Sequence, residues 1–172
     1  MSEPRVAFVT AGPDGLLCGD PTGDHVVLTP TGLEYRRRPG TDGAGAEFDW
    51  ATIRSLEDDA TASPARRPGR FAVLRSAVAE SIGLQWEPTL ASFTLTVEDD
   101  TDRLPLACDG YIGGGYWSGQ LRAVREALEL WRTEPDTRAA LARPEWTLGE
   151  LAAAAEGPDA DVRDALRAAW AD

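Results

Sequence analysis

The chain contains no lysine. All 17 of its basic side chains are arginine, set against 29 aspartates and glutamates, for a net charge of −12. That balance argues against a nucleic-acid partner, because phosphate recognition needs a basic face. It also disfavours the anionic cytoplasmic surface of a membrane. Histidine occurs once, as His25, and cysteine twice, as Cys18 and Cys108. Two cysteines are too few for a disulfide framework. Each lies in an apolar, strand-like run, whereas reactive or metal-binding thiols want basic or imidazole neighbours; both read as reduced and buried. No segment approaches the ~20 apolar residues of a membrane span. The N-terminal MSEPRVAFVT lacks the basic and long apolar regions of a signal peptide. The expectation is a cytoplasmic protein with no metal and no cofactor.

What is present centres on Ser118–Thr133 (SGQLRAVREALELWRT). Leu121, Val124, Leu128 and Trp131 recur at three- and four-residue steps, so they line one face of an α-helix, widened by Ala127. Arg122, Arg125, Glu126 and Glu129 fall on the other face. Ser118 is the expected N-cap, and Pro135 should end this helix or start another. A helix with one apolar stripe needs a cover, and the short strands before it are the candidates.

Those strands read in order. Residues 5–10 form one strand with Val6 and Phe8 on a shared face, and AGPDG (11–15) turns the chain into Leu16–Cys18. His25–Thr29 and Leu33–Arg38 flank a Pro30-Thr31-Gly32 turn, and Leu33 and Tyr35 alternate with Glu34 and Arg36. Phe48 and Trp50 share a face that Ile53 leaves, which implies a bulge or tight bend at Ala51-Thr52. Residues 58–69 read as a linker and 70–82 as a helix stopped by Gly83. Phe93, Leu95 and Val97, then Leu104, Leu106 and Cys108, form a hairpin across the acidic turn between them. After Pro135 the chain stays helical to Arg143-Pro144. A capping box at Thr147/Glu150 precedes a stripe of Leu148, Leu151, Ala152 and Ala155, and Val162, Leu166 and Trp170 repeat in a last helix. Short isolated helices are marginal, so this hairpin should dock on the preceding domain or on a second copy. At 172 residues the expected division is one domain over 1–144 and a helical appendage over 145–172.

Two stretches, VVLTPTGLEYRRR followed by FDWATIRSL and the helix ending at Trp131, resemble bacterial proteins of the pleckstrin-homology (PH) superfold. The resemblance implies an α+β fold: a partly open barrel of about seven antiparallel strands closed by the amphipathic helix, with the 70–82 helix inserted. Such a barrel would bury Leu121, Val124, Leu128 and Trp131 against Phe8, Leu33, Tyr35, Trp50, Phe93 and Leu95.

Candidate chemistry is sparse. Tyr111, Tyr116 and Trp117 cluster in a stretch read as a loop, and they serve either as a partner-binding surface or as extra core. Arg36, Arg38, Arg66, Arg67 and Arg70 could hold an anion, or could be a solvated face. Phosphoinositide-binding members carry basic residues in the first strand–turn–strand, whereas the turn here, AGPDG, holds Asp14 and no basic group inside it. Gly113–Gly115 lacks the spacing of a phosphate loop, and the acidic runs at 57–59 and 98–102 lack a calcium-loop pattern. His25 and Asp24 are adjacent on a strand and point to opposite faces, so they make a poor catalytic dyad. The expectation is a non-catalytic interaction or scaffold module whose partner is another protein or a second copy. The alternative is a binder of a small anionic ligand or lipid head group through the arginines.

Overall fold

The computed structural model describes residues 5–41, 43–63, 92–109, 116–158 and 161–171. The expected helix at 70–82, Gly113–Gly115, Tyr111, and Arg66, Arg67 and Arg70 lie outside the described residues. Six short strands, β1 (Arg5–Val6), β2 (Val9–Ala11), β3 (Leu16–Gly19), β4 (His25–Leu28), β5 (Gly32–Arg36) and β6 (Ala46–Asp49), pair in sequence order as an antiparallel meander. The register sets Val9, Cys18, Val26 and Tyr35 in one row and Leu16, Leu28, Leu33 and Phe48 in the next, all facing the core. The strand expected over 5–10 is instead a tight hairpin, Val6 opposite Val9, with Ala7 at φ 49°. A left-handed alanine costs about 1–2 kcal/mol. The turn brings Phe8 into the core, where its ring lies 4.5 Å from Phe93 and 6.1 Å from Tyr116, and burial of an aromatic of that size offsets the strain.

After β6 the chain makes a tight bend and no bulge. The Thr52 N–H donates to Asp49 O at 3.0 Å and the Ala51 N–H to Asp49 Oδ1 at 2.8 Å. Trp50 and Ile53 are both buried there, and Trp50 Nε1 donates to Thr29 O at 2.8 Å. The bend hands the chain to a second antiparallel sheet, β7 (Ser55–Asp58), β9 (Ser92–Glu98) and β10 (Arg103–Asp109), ordered β10-β9-β7. Phe93, Leu95, Val97, Leu106 and Cys108 face inward as expected, whereas Leu104, near the open end of the hairpin turn, is 39% exposed. The segment read as a linker contributes β8 (Ala62–Ser63), which pairs in parallel with β11 (Tyr116–Trp117). Pairing between segments that far apart has no local pattern to announce it. The architecture is α+β with two antiparallel sheets. Among the described residues these sheets do not close into a barrel, and the expected count of about seven strands is exceeded, because the first expected strand splits into β1 and β2 and the β8–β11 ladder adds two more.

Helix α1 (Ser118–Thr133) lies across this wall. Its whole expected stripe is buried, together with Ala123, Ala127 and Leu130, and every sheet residue expected beneath it is buried too. Ser118 is the first helical residue and Trp117 holds the N-cap position without a side-chain cap. At the other end Arg138 donates to the carbonyls of Trp131 (2.6 Å) and Arg132 (3.1 Å) and lies over the Trp50 ring at 5.8 Å. A cation there complements the negative end of the helix dipole. Arg125 grips Asp58 of β7 with two bonds of 2.8 Å, tying α1 to the second sheet.

Pro135 begins a 3₁₀ segment (Pro135–Ala142), followed by α2 (Pro144–Glu156) and α3 (Val162–Trp170). Helix α2 starts at Pro144, three residues before the expected capping box. Pro is preorganised for the first helical position, and the Thr147 hydroxyl donates back to Ala140 O at 2.6 Å. In α2, Ala154 and not Ala152 joins Leu148, Leu151 and Ala155 in the core; Val162, Leu166 and Trp170 are all buried. These helices dock in cis. Trp170 stacks on Trp131 at 5.1 Å, and one continuous core runs from Val6 to Trp170 across the boundary expected at 144. Both cysteines are free and buried, and burial pushes the Cys108 thiol up to about 12 and Cys18 up as well. Among the described residues no helix is long and apolar enough to cross a membrane.

Candidate functional site

A dense charged cluster sits where the β3–β4 turn, the end of β5 and the end of β10 meet. Asp24 accepts from the Arg38 backbone N–H (2.7 Å) and the Tyr35 hydroxyl (3.2 Å). Arg37 Nε lies 3.2 Å from Asp24 Oδ2 as an ion pair without hydrogen-bond alignment. Asp109 accepts from the Asp24 N–H (3.1 Å) and from the Arg38 guanidinium (2.9 Å), and its backbone bonds Asp20 and Asp24. The Arg38 N–H bond, with help from Tyr35 and the two arginines, holds the Asp24 carboxyl below the usual range. Burial, and then the Asp24 charge, push the Tyr35 phenol up to about 12. This network clamps β10 to the first sheet.

Two of the arginines expected to bind an anion are therefore engaged within the chain. Arg38 holds Asp109, and Arg36 holds Asp14 at 2.9 Å and Glu34 at 2.7 Å. An incoming phosphate would have to displace a carboxylate at each, losing charge-assisted bonds to gain similar ones.

The clamp has a pH signature. Asp20, Asp24, Glu34 and Glu129 all have lowered values, caused first by hydrogen bonds to Thr22, Arg38, Arg36 and Arg132 respectively. A carboxyl depressed in the folded state contributes stability that is complete above its unfolded pKa and is lost as pH falls through its folded one. Denaturant midpoints should therefore hold steady from about pH 7 to 5 and fall below about pH 4. Asp24→Asn should lower the midpoint at neutral pH, and that deficit should vanish in strong acid. A deficit independent of pH would show that Asp24 acts by shape alone.

The aromatic cluster separates. Tyr116 is buried, edge-on to Phe8, with its phenol pushed up chiefly by burial. Trp117 is half-buried and packs against the core. The structure thus places Tyr116 as core and leaves only part of Trp117 at the surface.

Two concavities stand out among the described residues. One, of about 370 Å³, lies along the outer side of β5 and β6. Glu34 faces Glu47 across the ladder there, beside Asp49 and bare Gly32. Like charges in register oppose each other, and the Arg36 guanidinium on Glu34 relieves part of that repulsion. Among the described residues no group of three or more His, Cys, Asp or Glu could hold a metal ion.

The second is a groove of about 210 Å³ between α2 and α3, closed by the Gly157-Pro158 connection. Ala153 and Ala154 of α2 and Val162, Ala165 and Leu166 of α3 form its apolar floor. Glu150 and Asp161 stand at its lips. Ligand pockets for small molecules run from about 300 Å³ upward, so this volume suits one large side chain. Its lining offers neither a nucleophile nor a general base of the His type. No family model, curated protein or solved structure matches this chain. The geometry therefore carries the functional reading. Pattern reasoning passes over the groove because its residues are small. The one signal is the alanine run 152–155, whose side chains are too short to fill the space between two helices.

Proposed function

We propose that this protein is a non-catalytic interaction module that seats a segment of another protein in the groove between α2 and α3. The observation that supports this is the groove itself: an apolar, single-side-chain cleft on a helical face backed by a continuous core. A rigid cleft of this kind is how helical surfaces capture an anchoring side chain, with the buried anchor supplying most of the affinity. The fold reading that accompanies it is PH-like. A meander turning at Trp50 into a second antiparallel sheet, with α1 packed across, follows the element order of that superfold, whose members include protein binders.

A photo-crosslinking residue at Ala153, compared with one at the exposed Glu47 on β6, tests the proposal. The expected result is adducts at position 153 that map to one segment of one protein, and none at position 47. Adducts at neither position, or the same adducts at both, would overturn it.

A further inference from the structure

The charge around the groove specifies the partner further, an inference that rests on the interaction reading above. The lips carry Glu150 from α2 and Asp161 at the entry to α3, and among the described residues no cation lines the cleft. Neither carboxylate has an ion pair or hydrogen bond among the described residues. The neighbouring basic residues are engaged elsewhere: Arg143, just before α2, lies over the Trp146 ring at 3.9 Å. Arg167 grips Glu134 at 2.9 and 2.7 Å and Asp164 at 2.7 Å, and Arg163 faces Glu126 at 3.8 Å and Glu134 at 3.9 Å. Arg122 of α1 donates to the Gly157 carbonyl at 3.4 Å. Helix α2 contributes three glutamates and no basic residue. The acidic lips are thus unneutralised, on a chain that already carries −12.

We infer that the segment seated in the groove carries one aliphatic or aromatic anchor flanked by arginine or lysine. The anchor fills the apolar floor, and the flanking cations meet Glu150 and Asp161. A second copy of this chain is a poor occupant, because it brings the same net charge to the contact. Exposed pairs are individually weak. Two of them together are expected to be worth about tenfold in affinity at low salt, shrinking as salt is added.

The test is a methyl NMR titration of the full chain with four nine-residue synthetic peptides. Three share a central leucine, with flanks of arginine, serine or glutamate; the fourth has the arginine flanks and glycine at the centre. The arginine–leucine peptide should shift the methyls of Ala153, Ala165 and Leu166 and bind about tenfold tighter than the serine peptide. The glutamate and glycine peptides should leave those methyls in place. The double variant Glu150→Gln/Asp161→Asn, with an unchanged thermal melt, should bind the arginine and serine peptides alike. Equal binding of the two by the unaltered chain would overturn the charge inference and leave the interaction reading standing. No groove shifts with any peptide would overturn both. Self-association of the chain that Ala165→Leu abolishes would overturn the choice of a foreign partner.

Discussion

Trp131→Ala should lower the unfolding free energy by about 4 kcal/mol, and the melting temperature by roughly 12 °C for a chain of this size. Trp131 has no exposed surface, and its ring is stacked on Trp170 with an interplanar angle of 20°. It belongs at once to the stripe of α1 and to the contact that docks α3. Removing it leaves a void that Trp170, itself held on the short helix α3, cannot fill without moving. Trp170→Ala should cost less, because α3 can detach locally while the sheets stay folded. A double-mutant cycle between the two should show coupling of about 1 kcal/mol. Neither indole N–H has a hydrogen-bond partner among the described residues, so Trp131→Phe should recover more than half of the alanine loss by removing an unpaired buried donor. Urea denaturation of the four variants reads all of this. A Trp131→Ala loss below about 1 kcal/mol would mean that α3 is not docked where the structure places it.

Gly32→Ala should be nearly as damaging, at about 3 kcal/mol or more. Gly32 opens β5 opposite Asp49, and a Cβ there would lie far inside van der Waals contact of the Phe48 carbonyl oxygen. The obstacle is backbone, so it cannot swing aside as a side chain would. The ladder between β5 and β6 would have to part, and with it the bend that buries Trp50. Gly149 is the control. It lies exposed in α2, and a Cβ at that position would meet nothing within 4 Å, so Gly149→Ala should stabilise by about 1 kcal/mol through helix propensity. Thermal melts of both variants check the opposite signs. Equal effects would show that propensity and not the close approach governs Gly32.

The parts of this fold that can be read in advance are those whose periodicity stays within one element. Helix α1 runs from Ser118 to Thr133 as its stripe of Leu121, Val124, Leu128 and Trp131 implies, and the β9–β10 hairpin pairs Phe93 with Cys108 and Leu95 with Leu106. The bend at Ala51-Thr52 shows as a phase break between Trp50 and Ile53. Departures come where a contact distant in sequence outweighs the local pattern. Ala7 takes a left-handed conformation so that Phe8 can reach Phe93. Whether Tyr116 is contact surface or core stays open until β11 pairs with β8 and the ring is buried. Whether Arg36 and Arg38 hold an anion or form a solvated face likewise stays open until the fold brings Asp14 and Asp109 to them.

By itself, then, the order of residues determined α1 and its apolar face, the β9–β10 hairpin, the buried thiols and the acidic balance of charge. Each depends on neighbours within a turn or two of chain, where side-chain spacing and backbone preference act directly. Only the tertiary structure decided that the last two helices dock in cis, that the arginines are spent on internal carboxylates, and that a groove with acidic lips opens between α2 and α3. Those outcomes turn on distances between atoms far apart along the chain, and no local spacing encodes such distances before the core has formed.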